Sequence, residues 1–176
     1  WAEFMHGWAR AKLSGSRQGL DQMESAAAVW PALAWGARRR AIRADAYWRA
    51  GQIQNGLALL DEASAIVEKT GERLFEAEIV RLRGRLLLDQ FSPGDDNLPE
   101  IVSCFEQAIA IARRQHAKVW ELRATTDLSR LLLWLGKRAE ARQYLAPIYG
   151  WFSEGIDAPD LVAGTKLLDE LESTDS

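Results

Sequence analysis

Arginine and tryptophan recur at helical spacing along this sequence. Together they can do one kind of chemistry: a guanidinium fork holds a carboxylate while an indole face holds an apolar group. Arg81 and Arg85 are four residues apart, which stacks them on one helix face, and Arg123 and Arg130 are seven apart, two turns along another. The other chemically able residues stand alone. His6 and His116 have no H-E-x-x-H or cysteine partner, so each is expected on a helix face or in a turn rather than on a metal. Cys104 would need a nearby histidine to act as a nucleophile. His116 is about three turns away, just past the end of the same expected helix, so a packed thiol is expected. Asp95-Asp96 and Asp169-Glu170 fall in an expected loop and an expected end helix, where carboxylates are solvated. No G-x-x-x-x-G-K-[ST] phosphate loop is present, nor a G-x-G-x-x-G after a strand. No catalytic residue, cofactor or metal is expected.

Composition narrows the classes further. Basic residues number 22 against 25 acidic, a net charge of −3, which excludes a nucleic-acid binder driven by bulk positive charge. A single cysteine excludes a disulfide framework and any multi-cysteine zinc or iron–sulfur site, and it fits a reducing cytoplasm. No apolar run approaches the ~20 residues of a membrane span, and no signal peptide is visible. The 176 residues suit one domain. Trp1 already lies inside a helical pattern, so a fragment of a longer protein is expected.

The elements that must carry the arginines are helices. Ala, Leu and Arg, all strong helix formers, occur 27, 23 and 17 times, while Val, Ile and Thr together reach only 20. Helices are expected over 1–13, 17–30, 32–50, 53–69, 72–90, 99–115, 118–135, 138–152 and 159–172. These repeat. Small residues Gly7, Ala44, Gly84 and Ser129 sit at matching places in alternate helices. Each following helix carries a large apolar residue, Met23, Leu60, Phe105 or Leu145, followed three residues later by Ala26, Ala63, Ala108 or Ile148. Gly51 and Gly136 mark turns between paired helices. The pattern resembles the tetratricopeptide repeat. The resemblance implies an all-α, right-handed helical solenoid with repeats at about 1–31, 32–70, 72–116 and 118–153, capped by 159–172. The fourth and seventh positions depart from the usual apolar pattern at Glu3, His6, Arg40 and Arg43, and residues 91–99 insert a loop.

The resemblance also implies which residues face a concave groove: Trp1, Phe4, Trp8, Ala11 and Lys12; Arg38, Ala41, Asp45, Trp48 and Arg49; Glu78, Arg81, Arg85, Leu88 and Asp89; Arg123, Thr126, Arg130, Leu133 and Trp134. Six arginines share that face. Arg81, Arg85, Arg123 and Arg130 are expected to repel one another unless Glu78, Asp89 or a ligand offsets them. The expected partner is a protein or an acidic peptide, with Trp8, Trp48 and Trp134 as apolar contacts; no membrane partner is expected. An alternative contact, for single-stranded nucleic acid, is Arg38-Arg39-Arg40 and Arg43 beside Trp35 and Trp48, against the acidic total. Residues 1–60 carry +4 and residues from Trp151 onward −6, so copies could also meet head to tail.

Three stretches carry a closer likeness: Glu76 to Leu87, Phe105 to Gln115, and Leu145 to Leu161. They resemble the C-terminal repeat region of large bacterial signalling proteins that carry a predicted ATPase, often behind a class III adenylate/guanylate cyclase domain or beside a LuxR-type DNA-binding domain. The likeness implies a helper module whose catalytic parts lie elsewhere, acting on other domains of its parent.

Overall fold

The structure is a computed structural model that describes residues 1–14, 16–29, 36–92 and 95–173. Among the described residues the chain forms nine helices and no strand: α1 (Ala2–Ser14), α2 (Arg17–Ala28), α3 (Gly36–Arg49), α4 (Ile53–Thr70), α5 (Glu76–Gln90), α6 (Leu98–Arg114), α7 (Lys118–Trp134), α8 (Arg138–Tyr149) and α9 (Pro159–Glu172). Each helix packs on the next. The odd-numbered helices also pack on one another in order, whereas the even-numbered ones touch only odd-numbered neighbours. Two layers result, and no helix reaches beyond its near neighbours, as a helical solenoid requires. Among the described residues no helix is long and apolar enough to cross a membrane.

Small residues set the spacing within each pair. A Cβ on Gly7 would lie 2.7 Å from the Gly19 carbonyl, and one on Gly19 2.6 Å from the Ala11 nitrogen, so α1 and α2 meet backbone to backbone. In the third pair the partner is an aromatic ring: a Cβ on Gly84 would come 2.8 Å from Phe105 Cε1 and 3.0 Å from Cys104 Cβ. In the fourth, the Ser129 hydroxyl donates to the Ala141 carbonyl at 3.0 Å. Met23, Leu60, Phe105 and Leu145 fill the gaps and are at most 1% exposed. Gly51 and Gly136 serve a different need. Their φ of +73° and +76° is left-handed backbone, and a Cβ there would meet nothing.

The poorly matching repeat positions have a physical account. Arg43 donates twice to Glu24, at 2.9 and 2.6 Å, Arg40 donates to Glu62 at 2.7 Å, and Arg83 pairs with Asp61. Charged side chains thus bind odd to even helices where apolar ones usually do. Several helix boundaries differ from expectation. α2 ends at Ala28 rather than 30, and most of the expected start of α3, at 32–35, lies outside the described residues. α5 begins at Glu76 rather than 72, because Arg73 to Glu76 closes a turn first. α8 stops at Tyr149 rather than 152.

α9 packs on both α7 and α8, the place an odd-numbered helix takes in a further pair. Leu161, Gly164, Leu167 and Leu171 are buried, while Lys166, Asp169 and Glu170 face solvent. That division of faces is what a cap needs.

Candidate functional site: a concave groove across the inner helices

A groove of about 410 Å³ crosses the inner layer. It is lined by Met5, Trp8 and Lys12 of α1, by Asp45, Trp48 and Arg49 of α3, and by Glu78, Arg81 and Arg85 of α5. Trp120, Arg123, Thr126, Asp127 and Arg130 of α7, Asp160 and Ala163 of α9, Phe75 just before α5, and Ala41, Ile42 and Leu82 complete it. Helical periodicity alone places the α7 set on one side, since residues 123, 126, 127 and 130 follow the i, i+3, i+4, i+7 stripe.

At its centre lies a buried ion network. Arg81 is forked onto Glu78 through Nε (2.7 Å) and a terminal nitrogen (2.8 Å), and donates to Asp127 Oδ2 at 2.5 Å. Arg85 donates to the other oxygen of Asp127 at 2.7 Å, and Arg130 stands 3.9 Å from that same oxygen. Arg123 pairs with Asp160 at 2.7 Å and lies 3.6 Å from Glu78. The network ties α5 to α7 and α7 to α9. Burial alone would push the Asp127 carboxyl up; the Arg81 and Arg85 charges and hydrogen bonds outweigh it and hold it below the usual carboxylate range. Burial likewise draws on the Arg81 guanidinium, and Glu78 and Asp127 raise it above its ordinary value.

The first three inner helices are joined differently, by indoles. Trp8 donates to Asp45 at 2.9 Å, and Trp48 donates to Asp89. Cations lie over the rings: Lys12 is 4.7 Å from the Trp8 centroid, Arg85 4.6 Å and Arg49 5.0 Å from that of Trp48, and Arg123 4.9 Å from that of Trp120.

Twelve of the twenty residues expected on this face line the groove, among them Trp8, Trp48, Arg49, Arg81, Arg85, Arg123 and Arg130. Eight do not, Arg38 and Trp134 among them. Arg38 sits at the edge of the solenoid, 4.9 Å from the Trp1 ring and 5.3 Å from that of Phe75. Trp134 lies at the far end of α7, 60% exposed and edge-on to Phe91 at 5.9 Å. Trp134 is one turn beyond Arg130, past the last residue that α7 contributes to the groove. Phe4 and Ala11, also expected on this face, are core. The repulsion among the four arginines is offset by Glu78, as the expectation allowed, and also by Asp127 and Asp160, so that each has a carboxylate within 4 Å. Asp127 escapes the sequence reading because it falls outside the assumed groove positions. Its signal in the sequence is a lone carboxylate inside the buried run Ala124–Ser129, which needs a cation beside it. Trp120 escapes in the same way, three residues before the Arg123 it stacks with.

The alternative basic contact is taken apart by its surroundings. Arg39 is 6% exposed, Arg40 and Arg43 are held by Glu62 and Glu24, and Trp35 lies outside the described residues. Cys104 is packed as expected, its thiol pushed up by burial.

No family model and no curated protein matches this sequence. Solved structures do. A kinesin light chain-like protein of Podosopora anserina, with nearly identical TPR-like repeats, superposes at TM-score 0.67 and 18% identity, over 97% of this chain and 83% of that one. A point variant of that protein gives 0.68 at the same identity and coverage. The likeness is one of fold: this chain is a TPR-like helical repeat solenoid.

Proposed function

We propose that the chain is a non-catalytic protein-interaction scaffold whose groove receives an extended acidic segment of a partner protein. One observation carries this reading. Six cationic side chains line the groove against four carboxylates, leaving two positive charges in excess beside three indole rings. The excess resides in two side chains. Lys12 is exposed, lies over the Trp8 ring and forms no ion pair among the described residues; Arg130, 46% exposed, has no closer carboxylate among them than 3.9 Å. Arg81 is too deeply engaged to bind anything else. A carboxylate on Arg130 or Lys12 gains a charge-assisted bond, and an apolar neighbour rests on Trp8 or Trp48.

The test is fluorescence-detected binding of an Asp/Glu-rich peptide containing one Leu, against a Lys-rich control. Arg130→Glu with Lys12→Glu should weaken the acidic peptide at least ~10-fold, roughly 1.4 kcal/mol, with unchanged helical circular dichroism. Equal affinity for the basic control, or for the doubly substituted chain, defeats the reading.

The scaffold further serves, in this proposal, as the regulatory module of a larger cytoplasmic bacterial signalling protein built on a nucleotidyl cyclase or an ATPase, with a transcription regulator as the second choice of parent. Its support is the likeness at Glu76–Leu87, Phe105–Gln115 and Leu145–Leu161. Sequencing the gene upstream of the Trp1 codon checks it. An in-frame cyclase or ATPase domain is expected, and an unrelated open frame rejects it.

A further inference from the structure

The exposed large apolar side chains are not scattered. Inner helices begin, and outer helices end, along one edge of the solenoid. Trp1, Val29, Leu74, Val119, Trp151 and Ile156 all lie on that edge, between 42% and 79% exposed, and Val162 opens the first turn of α9 beside them. The opposite edge has only Leu13 and Trp134 among the described residues.

The richest part of this edge is formed by the α6–α7 turn and the α8–α9 loop. Trp151 is 60% exposed and stands edge-on against Phe152, 5.0 Å away, which packs into the core. Lys118 at the start of α7 reaches to 5.8 Å from the Trp151 ring, so turn and loop form one surface. A tryptophan raised on a half-buried Phe152, in the same loop as an exposed Ile156, is the composition of an interface centre. The charges on this edge are of opposite sign. Arg114 ends the turn's basic run, and Glu154 and Asp157 lie in the loop. None of these three has a partner among the described residues.

We propose that this surface docks on a second copy of itself. A two-fold axis between turn and loop sets the α6–α7 turn of each copy against the α8–α9 loop of the other. Arg114 then meets Glu154 and Asp157 twice over, and Trp151 and Ile156 are covered by the partner's Val119 and its own loop. Self-complementarity of this kind is what an isologous contact requires. Its size sets its strength. Inner helices lie about 10 Å apart and two layers make the edge about 20 Å deep. A patch two spacings long therefore offers about 400 Å² per copy, within the range of transient pairs. This site is separate from the groove, so either can fail without the other.

Sedimentation equilibrium of the purified chain from about 10 µM to about 1 mM should show a monomer–dimer equilibrium. Trp151→Glu and, separately, Ile156→Glu should each weaken the dimer at least ~10-fold with unchanged circular dichroism, whereas Trp134→Glu on the opposite edge should leave it intact. Arg114→Glu should weaken it, and adding Glu154→Arg should restore it to within ~3-fold, because each copy then carries the reversed pair. A chain that stays monomeric throughout overturns the proposal, as does a dimer indifferent to Trp151 and Ile156 or a charge reversal that restores nothing. Binding of a monomeric chain to anionic phospholipid vesicles through Trp151 overturns it in favour of a lipid surface.

Discussion

Asp127 on α7 holds Arg81 on α5 across the floor of the groove, 2.5 Å from oxygen to nitrogen, with the two side chains only 6% and 12% exposed. The two residues are 46 apart in sequence, and their contact decides what the neighbouring arginines can do. A guanidinium already forked onto Glu78 and Asp127 stabilises the stacking of repeats. Only those at the margin, Arg130 above all, remain open to a ligand.

Asp127→Asn should be severely destabilising. It leaves Arg81 and Arg85 short of one buried countercharge, and breaking one side of such a pair costs about 3–5 kcal/mol. For a chain of this size that corresponds to a melting temperature lower by roughly 10 °C. Thermal melts followed by circular dichroism measure it. A change under about 2 °C would show that the network is solvated and dispensable.

The same pair gives a pH dependence of known sign. Asp127 titrates lower in the folded chain than in the unfolded one, so its contribution to stability is fully present above the unfolded value of about 3.9. That contribution is lost as pH falls through the depressed folded value. Glu121 acts in the same direction: burial raises its carboxyl, but hydrogen bonds from Arg113 and Lys118 bring it below its ordinary range. Denaturant midpoints should hardly move between about pH 7 and 5 on account of these groups and should fall steeply below about pH 4. In Asp127→Asn the acid-induced fall should be visibly smaller, and an identical slope in both chains would refute the assignment.

Gly84→Leu should overpack the third helix pair. Even a Cβ there meets the Phe105 ring at 2.8 Å, and Phe105 is fully buried with nowhere to turn. Overpacking costs about 1–3 kcal/mol, read as a lower denaturant midpoint at unchanged m-value. Gly136→Ala is the useful contrast. It meets no atom but must hold a left-handed φ of +76°, so a loss of about 1 kcal/mol from strain alone is expected. If Gly84→Leu proves the milder of the two, the close approach of α5 to α6 is wrong.

Purified chain should neither hydrolyse ATP nor form a cyclic nucleotide, since the sequence holds no phosphate loop. Turnover that disappears when a residue of this chain is substituted would contradict the scaffold reading.

Helical class, repeat spacing and the small-against-large code were legible in the sequence, because they rest on local rules. Gly7, Gly84 and Ser129 sit where two helices cross, and a position that tolerates only a small side chain shows itself in any one repeat. Which residues share a groove was legible in part, because a 3.6-residue period sorts α5 and α7 into faces. Where a side chain stands along the helix is another matter: Trp134 lies on the expected α7 but one turn too far to reach the groove. The state of the arginines was decided only by tertiary structure. Asp127 and Asp160 reach Arg81, Arg85 and Arg123 from other helices, and no pattern within one repeat encodes which cation a carboxylate from the next will find. Periodicity gives each helix its face. The charge that face shows to a partner is what remains after facing helices have neutralised one another, and that sum exists only once they have packed.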